Sequence, residues 1–170
     1  ALEQMKIKGM VAAPEMGQAL AEIQEALHLT RLPERMEGYD ISDIQGQAAV
    51  GSMVVFERGK PKPAHYRRFK IKTVAGADDY AMVQEVLRRR FKRLASQLAE
   101  EETWAIVPDL NLIDGGKGQL NAGITAMKEV GGTSIPIMSL AKENEEIFIP
   151  GRSRPIILPR TSPGLRLPQH

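Results

Sequence analysis

The sequence predicts an α/β domain in which a mixed central sheet is flanked by helices. An antiparallel hairpin is expected early in the chain, because two extended runs flank the turn-forming stretch RGKPKPA at residues 58–64. Later, the apolar run DLNLI at residues 109–113 is followed by a glycine-rich turn and an amphipathic segment. That order is typical of the crossover unit that joins parallel strands. A sheet with both kinds of connection contains antiparallel and parallel pairs.

Three segments have the apolar spacing of amphipathic helices. They are residues 16–28, residues 78–102 and residues from about 119 to 130. The third is expected to end at the pair Gly131 and Gly132. Asp78 precedes the second apolar stripe and is interpreted as its N-cap.

Seven short apolar or alternating runs predict the strands. They are MEGYDIS, AAVGSMVVFE, HYRRFKIK, DLNLI, IPIMSLA, IFIP and PIILP. The run HYRRFKIK alternates in polarity, so its two faces should differ. Its basic face is expected to carry Tyr66, Arg68, Lys70 and Lys72, with Arg67, Phe69 and Ile71 on the other face.

Length and composition suit one domain with a single core, since the chain has 170 residues with 42% hydrophobic content. We divide it into a linker and lead-in helix at residues 1–33 and a folded domain at residues 34–170. No apolar run is long enough to cross a bilayer, and the start lacks the apolar segment of a signal peptide. We therefore expect a cytoplasmic protein without membrane contacts. The absence of cysteine excludes disulfides, thiolate catalysis and cysteine-bound zinc.

Two carboxylates are placed next to predicted strand ends, where ligands bind in open α/β sheets. Asp40 follows MEGY, and Asp114 follows LNLI and precedes the glycine turn. If the strands are neighbours, the carboxylates converge, and a hard cation such as Mg²⁺ or Mn²⁺ would relieve their repulsion. For each acid taken alone, a structural role is favoured over a metal ligand. Asp114 would cap the following helix, and Asp40 would bond its own backbone.

Two further features have weaker signals. Asp79 supplies a third carboxylate if the helix that it begins faces the same crevice. The turn GGKG contains Lys117 but lacks the G-x-x-x-x-G-K-[ST] spacing of a triphosphate loop. We therefore rank nucleotide binding last and expect a basic turn beside a nucleic-acid backbone.

Basic residues are clustered although the net charge is only +2, and clustering favours binding to an anionic polymer. The first cluster lies on the run HYRRFKIK, and the second occupies residues 88–93. Both predict phosphate contacts that weaken with salt. A solvated helix face with ion pairs explains the second cluster equally well.

Six blocks of sequence, in this order and spacing, resemble a known family. They are YDISDIQG, YRRFKI, DDYAMVQEVLRRRFKR, PDLNLIDGGKGQL, EEIFIPG and LPRTSPGLRL. They are similar to the C-terminal endonuclease domain of UvrC, the excinuclease component of bacterial nucleotide excision repair. The resemblance covers residues 34–169, and the helix at 16–28 resembles the segment that leads into that domain.

The resemblance implies a ribonuclease H-like fold and hydrolysis of a DNA phosphodiester on the 5′ side of a lesion. It also implies a divalent metal site, Mg²⁺ or Mn²⁺, with catalytic acids at Asp40, Asp114 and Asp79 and metal ligands at Asp40 and Asp114. Other excinuclease subunits are the implied partners, UvrB first and UvrA as a second candidate, in DNA repair within the SOS response. Contacts to DNA are expected from Lys117, Arg67, Arg68 and Tyr66.

Two departures from the family pattern affect this expectation. Asp43 fills the fourth place of the motif D-I-S-[HN] and adds a negative charge near the metal. In the family a helix that bears a catalytic His follows S-P-x-L, whereas this chain ends at His170, which we do not assign to that role. The expected function is a metal-dependent DNA endonuclease domain that ends before this helix. The alternative is a catalytically incomplete DNA-binding or partner-docking module of the same fold.

Overall fold

The computed structural model describes residues 17–30, 33–42, 49–72, 78–95 and 102–158. Three α-helices are found there: α1 (Gly17–Ala26), α2 (Asp79–Ala95) and α3 (Lys117–Glu129). The strands are β1 (Arg35–Ser42), β2 (Val50–Glu57), β3 (Lys60–Pro61), β4 (Arg67–Lys70), β5 (Leu110–Asp114), β6 (Ile137–Ala141), β7 (Glu146–Phe148) and β8 (Ile156–Ile157). Short 3-10 turns cover Pro63–His65 and Glu102–Ala105.

All of these strands belong to one mixed sheet, in the order β3-β2-β1-β5-β6-β7-β8, with β4 also paired to β2. The pairs β1–β5 and β5–β6 are parallel, and the other pairs are antiparallel. The predicted hairpin is confirmed by the antiparallel pairing of β2 with β4, and the predicted crossover by the path from β5 through α3 to β6. The predicted mixed α/β class is therefore confirmed.

The two faces of the sheet are covered by different groups of apolar side chains. The first core cluster joins α2 and α3 to one face and includes Tyr39, Met53, Phe69 and Ile113. The second core cluster lies on the opposite face, where Ile23 of α1 packs with Leu112 and Leu140. Within the described residues, no helix combines the length and apolar character that a membrane crossing requires.

Small residues let the helices lie close to the sheet. A Cβ atom on Gly51 of β2 would lie 2.3 Å from Cγ2 of Val86 in α2. A Cβ on Gly123 of α3 would likewise lie 2.4 Å from Cδ1 of Ile113 in β5. Interiors are close-packed, so neither position has room for a larger side chain without movement of its neighbours.

Two positions near the acids differ from expectation. Asp40 was expected directly after a strand, but it lies inside β1, which ends at Ser42 as the run MEGYDIS does. Helix α3 begins at Lys117, two residues earlier than the apolar spacing indicated. Apolar spacing places element ends only approximately, because terminal turns contain polar residues.

A buried ionic network connects β1 to α2. The side chains of Arg90 and Glu37 are both 0% exposed, and Nη2 of Arg90 lies 2.8 Å from Oε2 of Glu37. Arg35 and Tyr39 also donate hydrogen bonds to the Glu37 carboxylate. Hydrogen bonding to Glu37 raises the pKa of Arg90 despite the opposing effect of burial. No sequence pattern indicated this network, since charged residues are rarely fully buried unless paired.

Candidate metal centre

The carboxyl ends of the parallel strands β1, β5 and β6 meet at one edge of the sheet. Tyr39 of β1 pairs with Ile113 of β5, so the residues that follow, Asp40 and Asp114, lie side by side. Asp114 in turn pairs with Leu140 of β6, and Lys142 comes two residues after Leu140. The predicted convergence of the two carboxylates therefore follows from the strand order.

The two acids influence each other electrostatically. Burial, and then the negative charge of Asp114, raise the pKa of Asp40 from 3.8 to about 6. The proximity of the Asp114 side chain also favours the protonated form of Asp40. Lys142 acts in the opposite direction and lowers the pKa of Asp40. Repulsion between nearby carboxylates is what a bound cation would relieve.

Lys142 lies at the site although the sequence patterns did not indicate it. Its Nζ atom lies 2.8 Å from Oδ2 of Asp114, and its side chain is 37% exposed. The available signal was its place directly after the buried strand IMSLA, close to a strand end as Asp114 is. In the structure its ammonium group occupies one side of the carboxylate pair.

The donor chemistry of the pair fits a hard divalent cation. Carboxylate oxygens are the ligands that Mg²⁺ and Mn²⁺ prefer, and Mg²⁺ usually keeps several waters beside one or two carboxylates. Among the described residues, no three acids or histidines are grouped closely enough to hold a metal together. This part of the chain therefore offers two protein ligands, Asp40 and Asp114.

The capping interpretation of Asp114 is wrong. Helix α3 has Gly116 as its N-cap, and the backbone N–H of Gly116 donates to Oε1 of Gln119 at 3.0 Å. Asp114 instead ends β5 and turns its carboxylate toward Lys142. For Asp40 the alternative holds in part, because the backbone N–H of Ile41 does donate to its carboxylate.

Asp78 and Asp79 lie at the start of α2, which packs on the first core cluster. Oδ1 of Asp78 accepts a hydrogen bond from the backbone N–H of Ala81 at 3.1 Å, so the predicted N-cap is confirmed. Asp79 is exposed in the first helical turn. The structure does not bring it into a three-carboxylate group, and its catalytic role stays a prediction.

The glycine turn places Lys117 beside the acids. Lys117 is the exposed first residue of α3, three residues after Asp114. The ring of Tyr80 lies against Gly118, where an added Cβ would be 2.4 Å from the Tyr80 hydroxyl oxygen. A side chain at position 118 would therefore displace the exposed ring of Tyr80.

The residues of the first basic cluster are divided between the two faces of β4. Arg68 and Lys70 are exposed, as predicted, and Phe69 is buried. Tyr66 precedes the strand and packs against the first core cluster, so its predicted place on the basic face is wrong. Arg67 donates to Thr103 Oγ1 at 2.9 Å and stacks over Trp104, which gives it a structural role.

The second basic cluster is largely engaged within the protein. Arg90 is fully buried in the Glu37 network, Arg88 forms an ion pair with Glu129 at 2.7 Å, and Arg89 pairs with Glu85 at 3.2 Å. The ion pairs of Arg88 and Arg89 agree with the predicted alternative, whereas Arg90 is buried, and phosphate contacts from the exposed Lys92 and Arg93 stay a prediction. Asp43 and His170, the two positions that bear on the departures from the family pattern, lie outside the described residues.

A cleft of about 400 Å³ lies at the opposite end of the parallel strands. It is lined by Glu34, Arg35, Glu57, Arg58, Ile106, Val107 and Asp109. In α/β sheets ligands bind at the carboxyl ends of the strands, whereas this cleft lies at their amino ends. The cleft is therefore not chosen as the candidate site, despite its volume.

Comparisons with known proteins are consistent with this site. The sequence model of the UvrC RNAse H endonuclease domain matches residues 24–170. The chain is 52% identical over 168 residues to UvrABC system protein C of Dehalococcoides mccartyi, covering 99% of this chain and 28% of that protein. It is 53% identical over 152 residues to UvrABC system protein C of Moorella thermoacetica, covering 89% of this chain and 24% of that protein. The chain thus spans about a quarter of the length of these relatives.

A solved structure of Ciona intestinalis endonuclease V in complex with DNA is also similar in part. It has a TM-score of 0.47 and 15% sequence identity, and the match covers 75% of this chain and 57% of that one. The family assignment rests on the two sequence comparisons. By these, the chain belongs to the UvrC RNAse H endonuclease domain family, as its sequence blocks indicated, and its α/β fold is the expected ribonuclease H-like one.

Proposed function

We propose that this chain is a metal-dependent DNA endonuclease domain that makes the 5′ incision in bacterial nucleotide excision repair. The observation that carries the proposal is the convergence of Asp40 and Asp114 at the carboxyl ends of two parallel strands. Their mutual repulsion and oxygen donors suit Mg²⁺ or Mn²⁺. Membership of the UvrC family supports DNA as the substrate.

Each residue of the site has a chemical task in this proposal. A bound Mg²⁺ or Mn²⁺ would supply Lewis acidity to the scissile phosphate and activate water for in-line attack. Asp40 and Asp114 would hold the cation with their carboxylates, and the backbone N–H of Ile41 favours the ionised form of Asp40 by lowering its pKa. Lys142 balances the negative charge of Asp114 through their ion pair, and its ammonium group is close enough to the acids to contact a phosphate bound there.

Contacts to the DNA backbone are assigned by exposure. Lys117 and Arg68 are exposed cations and are proposed as phosphate contacts. Arg67 and Tyr66 stay predicted contacts, although their packing against Trp104 and the first core cluster supports structural roles. Asp79 remains a proposed third catalytic acid. UvrB, and secondly UvrA, are proposed as partners that present the damaged DNA.

Calorimetric titration with Mn²⁺ tests the metal site directly. We expect Asp40→Asn and Asp114→Asn each to abolish measurable binding, because either change removes one of the two described ligands. Asp78→Asn is the matched control, since Asp78 caps α2 and is exposed. Retained affinity in both site variants, with folding verified by circular dichroism, would contradict the metal assignment.

Incision of a damaged duplex, reconstituted with the other excinuclease subunits, tests the activity. We expect 5′ incision that depends on Mn²⁺ or Mg²⁺ and is lost in Asp114→Asn. DNA binding without incision, equally strong in wild type and Asp114→Asn, would support the alternative of a non-catalytic DNA-binding or docking module.

A further inference from the structure

One row of residues crosses the sheet from the candidate metal centre to its edge. Arg68 of β4 pairs with Ser52 of β2, and Ser52 pairs on its other side with Asp40 of β1. Asp40 lies beside Asp114 of β5. This cross-strand row runs perpendicular to the strands and consists of Arg68, Ser52, Asp40 and Asp114.

The side chains of this row point to the same face of the sheet. In-register partners on neighbouring strands share a face, and residues alternate between faces along each strand. The sequence neighbours Met53, Phe69, Tyr39 and Ile113 all belong to the first core cluster. The side chains of the row consequently point to the face opposite the first core cluster, away from α2 and α3.

This row carries an accessible cation at its outer end. Arg68 is exposed and forms no hydrogen bond or ion pair within the described part of the chain, in contrast to Arg67 next to it. Lys70 is also exposed, two residues further along β4 and on the same face as Arg68. Ser52, between Arg68 and the acids, is partly buried and offers a hydroxyl group.

The spacing suits the backbone of one nucleic-acid strand. Neighbouring strands lie about 4.8 Å apart, which places the Cα atoms of Arg68 and Asp40 about 10 Å from each other. At that separation Arg68 would contact a phosphate near the scissile phosphate, which lies at Asp40 and Asp114, and not the scissile phosphate itself. The positive charge of Arg68 and Lys70 complements the phosphate backbone.

We propose that the DNA strand to be cut crosses this face of the sheet perpendicular to the β-strands, from Asp114 and Asp40 over Ser52 to Arg68 and Lys70. Ser52 donates its hydroxyl to a backbone oxygen, and the two cations bind phosphates to one side of the scissile group. This inference rests on the proposed function for its substrate and adds the direction in which that substrate lies.

Site-specific crosslinking tests the path, because the chain contains no cysteine and each introduced thiol is unique. Ser52→Cys is nearly isosteric and would be reacted with a single-stranded oligonucleotide that carries a disulfide-activated tether on one phosphate. Lys92→Cys, exposed on α2 beyond the opposite face, is the matched control. We expect at least tenfold more crosslink at position 52, and equal yields at both positions would overturn the proposal.

Salt dependence of DNA binding provides an independent measurement on the full chain. Removing one phosphate contact should reduce the slope of log K against log salt by about 0.7 for a single strand. We expect this change for Arg68→Gln and no change for Lys92→Gln, measured by fluorescence anisotropy with the same oligonucleotide. An unchanged slope in Arg68→Gln would refute the assigned phosphate contact.

These outcomes are distinguishable from failure of the proposed function. Crosslinking and salt slopes are measured without metal and without incision. A crosslink at position 52 together with no Mn²⁺ binding would sustain the strand path and reject the metal site. Mn²⁺ binding together with equal crosslinks at positions 52 and 92 would sustain the metal site and reject the strand path.

Discussion

Replacing Arg90 by methionine should lower the free energy of unfolding by about 3–5 kcal/mol. The buried guanidinium donates four hydrogen bonds, two to Glu37 and one each to the backbone oxygens of Trp104 and Ile106. Methionine fills much of the same space but leaves Glu37 as a buried anion with a reduced set of donors. Two carbonyl oxygens also lose a partner, at about 1–3 kcal/mol each if they stay dry. Arg35 and Tyr39 still donate to Glu37, so we expect a loss near the lower end, about 3 kcal/mol.

Urea denaturation at pH 7 measures this loss, provided that the slope with urea is unchanged. Arg88→Met is the matched control on the same helix, because the Arg88 side chain is 34% exposed and pairs with Glu129, which is 47% exposed. Partly exposed pairs contribute about 1 kcal/mol or less. The double variant Arg90→Met with Glu37→Met should recover part of the loss, since no buried charge is then left unpaired. If Arg90→Met costs no more than Arg88→Met, the network does not hold β1 to α2 as argued.

Four further predictions concern the metal centre and the packing beside it. Mn²⁺ affinity should fall as pH decreases through about 6, because protonation of Asp40 then competes with the cation, and calorimetry between pH 5 and 8 would show whether it does. The raised pKa also means that stability of the metal-free protein is lost as pH rises from about 4 through 6. Asp40→Asn should therefore be more stable than wild type at pH 7, by about 1 kcal/mol after allowance for solvent screening, and equal to it below pH 4. Lys142→Met should raise the pKa of Asp40 further, and an unchanged value by carboxyl NMR would contradict the contact geometry. Gly51→Ala should cost about 1–3 kcal/mol in thermal or urea unfolding, because its Cβ would overlap Val86, and a neutral effect would show that α2 shifts freely.

Local patterns in the sequence were sufficient for features that depend on neighbouring residues. The polarity alternation along β4 and the capping role of Asp78 were both predicted correctly. Helical and strand periodicities are set by backbone geometry, and a cap bonds to its own helix. The family itself was also identifiable, because six blocks in fixed order are a property of the sequence.

The assembly of the candidate site depends on pairing between strands that are distant in the sequence. Asp40 and Asp114 are 74 positions apart, and their contact depends on the parallel pairing of β1 with β5. The parallel pairing of β5 with β6 brings Lys142 to Asp114, although a lysine in a polar loop carries no such signal by itself.

The sequence by itself determined the element types, the positions of the acids near strand ends and the membership of the UvrC endonuclease domain family. Only the tertiary structure decided that Arg90 is buried, that Arg67 stacks over Trp104, and that Asp114 contacts Lys142 and not the helix end. The physical reason is that a charge in a sequence has no fixed environment. Its burial, its partner and its pKa are set by strands and helices that are distant along the chain and adjacent in space.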